Sequence, residues 1–371
     1  MKTTFSRRDF GKLAALLAGA SVFPFVNEAT LAQIAVIPGG LPQGAIRIDS
    51  NENPAGPCKE ALDALADIAK DGGRYHMHLT DTFCETLAQT ENVKTNYVKA
   101  YAGSSPALHL SVLAFCGPNK PLITGDPGYE AGSMAASFVG AKNIKVPLTK
   151  TYAHDVKAMA AAAQGSAGGV IYIANPNNPT GTLTPREEID WLMANKPAGV
   201  IVVIDEAYIH IAGAPVCTDL VAQDKDIIVL RTFSKLYGMA GLRAGAAIAR
   251  PDLLQKLSVY VYAPQATTAM VAATASLKVP TLVADRRKTI SDIRDENMSF
   301  LKSKGYALVP SVSNKFMVDA KKPATEVITA LRREKVYVGR PWPIWPTHVR
   351  ISVGTPQEME IFRAAFLKVT A

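Results

Sequence analysis

A lysine surrounded by hydroxyl side chains, glycines and an arginine is the strongest chemical signal in this sequence. Lys235 ends the run Thr-Phe-Ser-Lys, which follows the apolar segment 227–230, and Arg243 ends the downstream run Gly-Met-Ala-Gly-Leu-Arg. A lysine amine can form an imine with an aldehyde, and hydroxyls together with a guanidinium can bind a phosphate. These groups predict a site for a phosphorylated aldehyde, which indicates pyridoxal phosphate (PLP) as the cofactor.

A second segment supplies a carboxylate. The run 199–204 is mostly β-branched, which is typical of a parallel strand covered on both faces. Asp205 follows it and is therefore expected at the carboxyl edge of the sheet, where open α/β folds bind ligands. A carboxylate there can keep the pyridine nitrogen of PLP protonated, and Tyr208 can donate to the ring oxygen. A simple helix cap is the alternative for Asp205 taken alone.

A third segment supplies an amide. The apolar run 168–174 leads into Asn-Pro-Asn-Asn-Pro-Thr-Gly-Thr, where two prolines fix φ and Gly181 permits a reversal. Asn178 is thus expected at the same sheet edge as the acid and the lysine. A plain turn would explain this segment alone. Three successive strand ends that carry an amide, an acid and a lysine favour one shared site.

These motifs, in this order, resemble those of the fold-type I PLP-dependent aminotransferases. The chain is most similar to the histidinol-phosphate aminotransferase branch, and the resemblance extends from 50–57 to 349–355. It implies an α/β fold, the PLP-dependent transferase fold type I. That fold has a large domain with a mostly parallel sheet wrapped by helices, and a smaller α+β domain.

The resemblance also implies roles around the cofactor ring. Lys235 binds the aldehyde and later moves the proton between the substrate α-carbon and the cofactor. Asp205 holds the pyridinium, while Asn178 and Tyr208 contact the ring oxygen. Tyr129, in Asp-Pro-Gly-Tyr, stacks on the ring face, although a core or turn tyrosine is the alternative for that residue alone.

The cofactor phosphate is expected at the opposite end of the ring. By the resemblance, Ser104 and Ser105 start a helix whose backbone N–H groups face the phosphate. Thr232, Ser234 and Arg243 complete that anion site. This chain has Ser-Pro after Gly-Ser, where the family usually has an acidic pair, so the local positioning is expected to differ.

The resemblance gives roles to one further cofactor-binding residue and to three substrate-binding residues. Tyr75 resembles the tyrosine that reaches the phosphate of the partner subunit, which implies a homodimer with shared active sites. Arg350 resembles the arginine that binds the substrate carboxylate through a bidentate pair. Arg340 borders the substrate side-chain pocket in the family, and Asn53, in the first matching motif, is also expected to bind substrate.

Two tryptophans follow Arg340 in Arg-Pro-Trp-Pro-Ile-Trp-Pro. Trp342 and Trp345 could line a pocket for an aromatic or long side chain, or form a rigid connector, and both interpretations stay open. His76 and His78 lie where the family often has a proline after the tyrosine. A loop or substrate-mouth role is expected for them, and no metal site is predicted.

The N-terminal segment predicts export. Ser-Arg-Arg-Asp-Phe-Gly-Lys at 6–12 precedes an apolar stretch at 13–26, which is typical of a twin-arginine signal peptide. An amphipathic N-terminal helix is the alternative, but neither face of the stretch is polar. We expect a signal peptide at 1–32, the twin-arginine export machinery as a partner and a periplasmic location. Histidinol phosphate is a cytoplasmic intermediate, so an exported member is expected to use another amino acid.

The composition fits a large globular enzyme of 371 residues, 48% of them hydrophobic. The net charge of +8 is spread along the chain without a basic tract interleaved with aromatics, so nucleic-acid binding is not indicated. The four cysteines show no CxxC spacing, and the sequence does not say whether any two meet.

The same patterns give a domain organisation. We expect an N-terminal arm with part of the small domain at 33–80, a large PLP-binding domain at 81–268 and a C-terminal small domain at 269–371. Strands are expected at 121–124, 170–174, 200–205, 227–232, 244–249 and 315–318, with a helix at 252–262.

The predicted activity is the transfer of an amino group between an amino acid and a 2-oxo acid, with ping-pong kinetics. Three alternatives stay open from the residues alone. One is histidinol-phosphate aminotransferase proper, and another is a decarboxylase, lyase or racemase that uses the same lysine, acid and phosphate site. The third is a binding or regulatory protein, which the lysine and the missing DNA-binding segment disfavour.

Overall fold

The computed structural model describes residues 41–261 and 264–371. The predicted twin-arginine segment at 1–32 lies outside these residues. Within them the chain forms three sheets, one of seven strands, one of three and one of two. The strands are β1 (Ile46–Ile48), β2 (Val98–Tyr101), β3 (Leu122–Asp126), β4 (Asn143–Pro147), β5 (Gly169–Ala174), β6 (Val200–Asp205), β7 (Ile227–Thr232), β8 (Gly245–Ala249), β9 (Leu308–Val309), β10 (Lys315–Asp319), β11 (Val336–Val338) and β12 (His348–Ser352).

The large sheet has the strand order β2-β8-β7-β6-β5-β3-β4. Strands β7, β6, β5, β3 and β4 are parallel to one another, whereas β8 pairs antiparallel with both β7 and β2. The sheet is therefore mostly parallel, as predicted. The expected strands agree with the observed ones to within two residues at each end.

The central strands are covered on both faces, which explains their continuous apolar sequence. In β5, Val170 and Tyr172 belong to the core on one face, and Ile171 and Ile173 belong to the core on the other. Complete burial of one such Val or Ile side chain contributes about 1.5–3 kcal/mol to stability. The resulting rigid sheet fixes the positions of the residues that follow its strands.

Helices cover the large sheet and build the smaller unit. A 3₁₀ turn at Thr95–Tyr97 precedes β2. The α-helices are α1 (Lys59–Ala69), α2 (His78–Glu91), α3 (Ser104–Phe115), α4 (Ala131–Phe138), α5 (Val156–Ala162), α6 (Arg186–Asn195), α7 (Ile209–Ala212), α8 (Thr218–Ala222), α9 (Pro251–Ser258), α10 (Thr267–Leu277), α11 (Leu282–Ser303), α12 (Ala324–Arg333) and α13 (Pro356–Thr370).

Helix α9 is shorter than the expected 252–262. Proline at its first position has a φ that suits a helix start. The helix ends at Ser258, and the next residues, Val259 and Tyr260, are exposed and gain no core packing. The β-branched valine also has a lower helix propensity, so local sequence stops the helix early.

The smaller unit is built around a three-stranded antiparallel sheet, β12-β10-β9, and the two-stranded parallel pair of β1 and β11. Its core joins apolar residues of these strands with α12 and α13. Helix α13 starts with a capping box, because Thr355 Oγ1 accepts from the Glu358 backbone and the Glu358 carboxylate accepts from the Thr355 backbone.

The N-terminal part of the chain contributes to both units. Strand β1 belongs to the smaller unit, whereas α1 packs against α10 and adds Ala61 to the core of the large sheet. Helix α10 itself spans the predicted boundary between residues 268 and 269. The proposed domain limits at 80 and 268 stay predictions.

Two further properties concern the described residues only. No single helix among them is long and apolar enough to cross a membrane, and the bent pair of α10 and α11 meets that criterion only jointly. All four cysteines lie in this part of the chain as free thiols: Cys58, Cys84, Cys116 and Cys217.

Candidate active site

A cavity of about 270 Å³ lies at the carboxyl edge of the large sheet. Because β5, β6 and β7 are parallel and in register, the segments that follow them meet at this edge. Ten of the predicted site residues line the cavity: Ser104, Ser105, Tyr129, Asn178, Asp205, Tyr208, Thr232, Ser234, Lys235 and Arg243.

Lys235 stands at the wall of the cavity with only 8% of its surface exposed. Its Nζ donates to the backbone oxygen of Ser50, at 3.1 Å. The loop that carries the lysine turns at Gly238, whose φ is +70°. A side chain at Gly238 would overlap with the backbone of Gly56, so this close packing requires glycine.

Asp205 is buried at the end of β6. The Tyr172 hydroxyl donates to its Oδ2 at 3.1 Å, and the Ala207 backbone N–H donates to its Oδ1 at 3.2 Å. Burial raises the pKa of Asp205 to about 6, although these two hydrogen bonds and the positive charge of Lys235 act in the opposite direction. Asp205 is thus a carboxylate near neutral pH whose charge depends on its neighbours.

Arg243 and the hydroxyls form the anion-binding end of the cavity. The Arg243 guanidinium donates to Ser234 Oγ at 3.1 Å, and Thr232 Oγ1 donates to the same oxygen at 3.0 Å. Helix α3 starts beside them at Ser104, directly after Gly103. A side chain at Gly103 would overlap with the guanidinium. The arginine and the helix start therefore lie together, which suits a bound phosphate.

Burial lowers the pKa of Arg243. Its backbone also adopts a φ of +63°, which is uncommon for a residue other than glycine. Such strain is often found at ligand sites, where the surrounding fold holds the residue in place. Here the guanidinium also donates to the backbone oxygens of Ala240 and Ala102, which fix its direction.

Arg350 is completely buried in β12 and does not line the cavity directly. Its Nη1 donates to Asn178 Oδ1 at 2.9 Å, and its Nη2 donates to the backbone oxygen of Asp49. The amide that follows β5 is thus connected to the guanidinium of the smaller unit. Trp342 lies beside the arginine, with its ring centre 5.1 Å from Arg350 Cζ.

Two tyrosines border the cavity from different sides. The Tyr129 hydroxyl is 3.4 Å from Ser105 Oγ, which connects the loop after β3 with helix α3. The Tyr208 hydroxyl accepts a hydrogen bond from Asn51 Nδ2 at 3.2 Å. Asn51 was not predicted as a site residue, although it belongs to the first matching motif.

Besides Arg350, three predicted site residues lie outside the cavity wall. Tyr75 is 78% exposed, and its backbone oxygen accepts from the Thr267 hydroxyl. Asn53 Nδ2 donates to the backbone oxygen of Leu236 at 2.8 Å, so it anchors the loop that carries Lys235. Arg340 forms an ion pair with Glu130, the residue after Tyr129.

Several residues near the site were missed by the sequence interpretation. Tyr172 could have been noticed as the one hydroxyl within the aliphatic strand β5. Lys315 had no comparable signal, because it begins a strand whose next three residues are apolar. It is buried, and its Nζ lies 3.1 Å from the centre of the Tyr208 ring. Ser50 and Glu52 also line the cavity.

A buried ion network supports the strand ends from behind. Arg231, in β7, donates to both carboxylate oxygens of Glu91, at 2.6 and 2.7 Å, and it also pairs with Glu206. Glu206 directly follows Asp205. Removal of one partner from such a buried network commonly destabilises a protein by about 3–5 kcal/mol. The network therefore holds β6 and β7 in register at the active edge.

The arrangement fits PLP in its chemistry. One end of the cavity has a guanidinium, two hydroxyls and a helix start, which suit a phosphate. The cavity wall also contains the buried Asp205 carboxylate, which suits a pyridinium, and the buried Lys235 amine, which suits an aldehyde. The donor set thus matches the three distinct groups of this cofactor.

Comparisons with known proteins agree with the site. The family model for aminotransferase class I and II matches residues 43–366. This chain therefore belongs to the aminotransferase class I and II family. Its membership confirms the predicted fold type, the aminotransferase activity and the PLP cofactor, and other PLP reactions on the same fold are not favoured.

The chain is similar to named relatives over most of its length. It is 33% identical to a histidinol-phosphate aminotransferase from Moorella thermoacetica, covering 88% of this chain and 86% of the relative. It is 32% identical to an aromatic amino acid aminotransferase from Rhodococcus jostii, covering 89% and 92%. The fold matches that of a Sinorhizobium meliloti histidinol-phosphate aminotransferase solved with PLP, with a TM-score of 0.82, 24% identity and coverage of 99% and 98%.

The hydrogen bond from Tyr172 predicts how Asp205 titrates in the cofactor-free protein. The change Tyr172→Phe removes a donor to the carboxylate, so the pKa of Asp205 should rise above its value of about 6. We expect an increase of roughly one pH unit. Infrared difference spectra during a pH titration measure it through the protonated carboxyl band, which Asp205→Asn identifies by its loss. An unchanged or lower midpoint in Tyr172→Phe would contradict this assignment.

Proposed function

We propose that the cavity of this aminotransferase acts on an amino acid with an aromatic or long apolar side chain, and that Lys235, Asp205 and Arg350 carry the reaction. The observation that supports the roles is the convergence of an amine, a buried acid and an anion-binding end in one cavity. A dimeric state and export to the periplasm complete the proposal.

The roles of the protein groups follow from their positions. When bound, PLP supplies an aldehyde and an electron-withdrawing ring. Asp205, as a carboxylate, keeps the pyridine nitrogen protonated, and Asn178 and Tyr208 hold the ring oxygen. The Lys235 amine would take the proton from the substrate α-carbon and deliver it to the aldehyde carbon of the cofactor, which lies two atoms away, across the nitrogen. Arg350 binds the substrate carboxylate through two parallel N–H bonds.

The substrate class is supported by an aromatic cluster beside Arg350. Trp342 is buried, and Trp345 packs edge-to-face on Tyr152 with ring centres 5.6 Å apart. We infer that these rings contact the apolar side chain of the substrate. Arg340 is paired with Glu130, so an anionic side chain would have to displace a carboxylate before it could bind there. This arrangement favours an uncharged side chain over a phosphorylated one.

The visible absorbance of bound PLP tests activity and substrate class together. Addition of phenylalanine, tyrosine or leucine to the PLP-loaded protein should remove the visible band, and a 2-oxo acid should restore it. Histidinol phosphate should convert the band more slowly. Lys235→Ala is the control, because it should bind PLP without this conversion. Fastest conversion by histidinol phosphate would overturn the substrate proposal, and conversion by Lys235→Ala would overturn the role of the lysine.

A homodimer with shared sites is supported by Tyr75 and its surroundings. The side chain is 78% exposed, and Met77 beside it is also exposed. Neither contributes to the cavity of its own subunit. We infer that Tyr75 reaches the anion-binding end of a second copy, as the resemblance to the family implies.

Mixed dimers test the shared site. A dimer of one Lys235→Ala subunit and one Tyr75→Ala subunit has both defects in one site and an intact second site. It should have roughly half of the wild-type activity, whereas each mutant homodimer should lose most activity. The subunits carry different affinity tags so that the mixed species is purified. No recovery in the mixed dimer, or full activity in the Tyr75→Ala homodimer, would contradict shared sites.

Export is supported by the sequence of the N-terminal segment, where Arg7 and Arg8 precede an apolar stretch. We infer that the folded protein is carried by the twin-arginine machinery to the periplasm. A periplasmic enzyme would not meet a cytoplasmic biosynthetic intermediate, which agrees with the substrate class proposed above.

Replacement of both arginines tests this route. Arg7→Lys with Arg8→Lys keeps the positive charge but removes the arginine pair that the machinery recognises. When the full-length double variant is expressed in a bacterial host, its periplasmic fraction should be lower than that of the wild type by roughly tenfold or more. Lys2→Arg is the matched control and should be exported normally. An unchanged periplasmic fraction of the double variant would contradict the twin-arginine route.

A further inference from the structure

A second buried lysine lies against the active-site tyrosine. Lys315 begins β10, in the smaller unit, and is completely buried. Its Nζ donates to Ser313 Oγ at 3.0 Å and lies 3.1 Å from the centre of the Tyr208 ring. Lys235 is further away, with its Nζ 5.8 Å from the same ring centre. Lysine is seldom fully buried, because removal of its charge from water is costly.

The smaller unit also fixes the hydroxyl of this tyrosine. Asn51 donates to the Tyr208 hydroxyl, and Ser352 Oγ both accepts from the Asn51 backbone, at 2.8 Å, and donates to its side-chain oxygen, at 3.0 Å. Asn314, next to Lys315, donates to the Asn51 backbone oxygen at 2.9 Å. The ring and the hydroxyl of Tyr208 are therefore held by one network.

A cation at the ring face changes the chemistry of the phenol. Cation–π attraction orients the ring, and its strength increases where water is excluded. The positive charge also stabilises any negative charge that develops on the phenolic oxygen, because Coulomb interactions over a few ångströms are strong in a buried site. A phenol in this setting donates a stronger hydrogen bond.

We propose that Lys315 is a positioning residue that holds Tyr208 and strengthens the hydrogen bond from its hydroxyl to the ring oxygen of PLP. The proposal rests on the role proposed above for Tyr208, and it assigns a function to a lysine that does not line the cavity. The ligand group that accepts this hydrogen bond is the phenolate oxygen of the pyridoxal ring.

The imine nitrogen that joins PLP to Lys235 can bind a proton, and its protonation state sets the visible absorbance of the bound cofactor. The pH midpoint of this absorbance change therefore reports on the effect of Lys315. Positive charge near the ring oxygen disfavours the protonated form. Removal of the Lys315 charge should therefore move the midpoint of the absorbance titration to higher pH. Other titratable groups around Tyr208 are Lys235, Asp205 and Tyr172, and they are unchanged in all the variants used.

Two variants separate charge from shape. Lys315→Met keeps the length of the side chain and removes its charge, and it should raise the absorbance midpoint by on the order of 1 pH unit. Lys315→Arg keeps the charge and should restore most of the wild-type midpoint. If Lys315→Met does not fold, Lys315→Gln supplies the uncharged variant. Equal midpoints in the wild type and the uncharged variant would overturn the proposal.

A double-mutant cycle tests whether the lysine acts through the tyrosine. Tyr208→Phe alone should also raise the midpoint, and Lys315→Met added to it should change the midpoint by much less than it does in the wild type. Full additivity would mean that Lys315 acts independently of the hydroxyl, which would overturn the proposal.

The same cycle distinguishes the proposal from the assignment on which it rests. If Tyr208→Phe leaves the midpoint unchanged, the role proposed for Tyr208 is wrong, and the inference about Lys315 fails with it. If Tyr208→Phe shifts the midpoint but Lys315→Met does not, only the inference about Lys315 is wrong. A stopped-flow measurement of substrate turnover is not needed for either conclusion.

Discussion

Parallel pairing of β5, β6 and β7 is the constraint on which the site depends. The register places Asp205 beside Ala174 and Leu230, so the loops after all three strands start at one edge. Burial on both faces and the ion network of Arg231 hold this register. A shift of one strand by a single residue would turn its side chains to the opposite face and separate the acid from the lysine.

The smaller unit completes the site through polar contacts that cross to the large sheet. Arg350 donates to Asn178, and Asn51 donates to Tyr208, so residues distant in sequence meet over the cavity. Burial in turn decides the electrostatics, because it raises the pKa of Asp205 to about 6 while Tyr172 and Lys235 oppose that rise. The cavity is thus a product of sheet register, cross-unit contacts and desolvation together.

The sequence was sufficient for the large sheet and for most of the cavity wall, because strand ends and motif order determine which residues share an edge. It was insufficient where a side chain acts through a distant partner. Lys315 lies in an apolar strand and gains its significance only from the approach of Tyr208. Asn53 is expected to bind substrate, and the structure adds a contact that the sequence does not indicate, from its side chain to the backbone oxygen of Leu236. Such contacts depend on how the two units pack, which periodicity does not encode.

We propose that Lys235, and not the second buried lysine, Lys315, is the residue that binds PLP. Borohydride reduction of the PLP-loaded protein makes the bond between cofactor and lysine permanent, and peptide mass spectrometry then locates it. We expect the peptide containing Lys235 to carry the cofactor mass and the peptide containing Lys315 not to carry it. Attachment at Lys315, or the absence of any labelled peptide, would contradict the account.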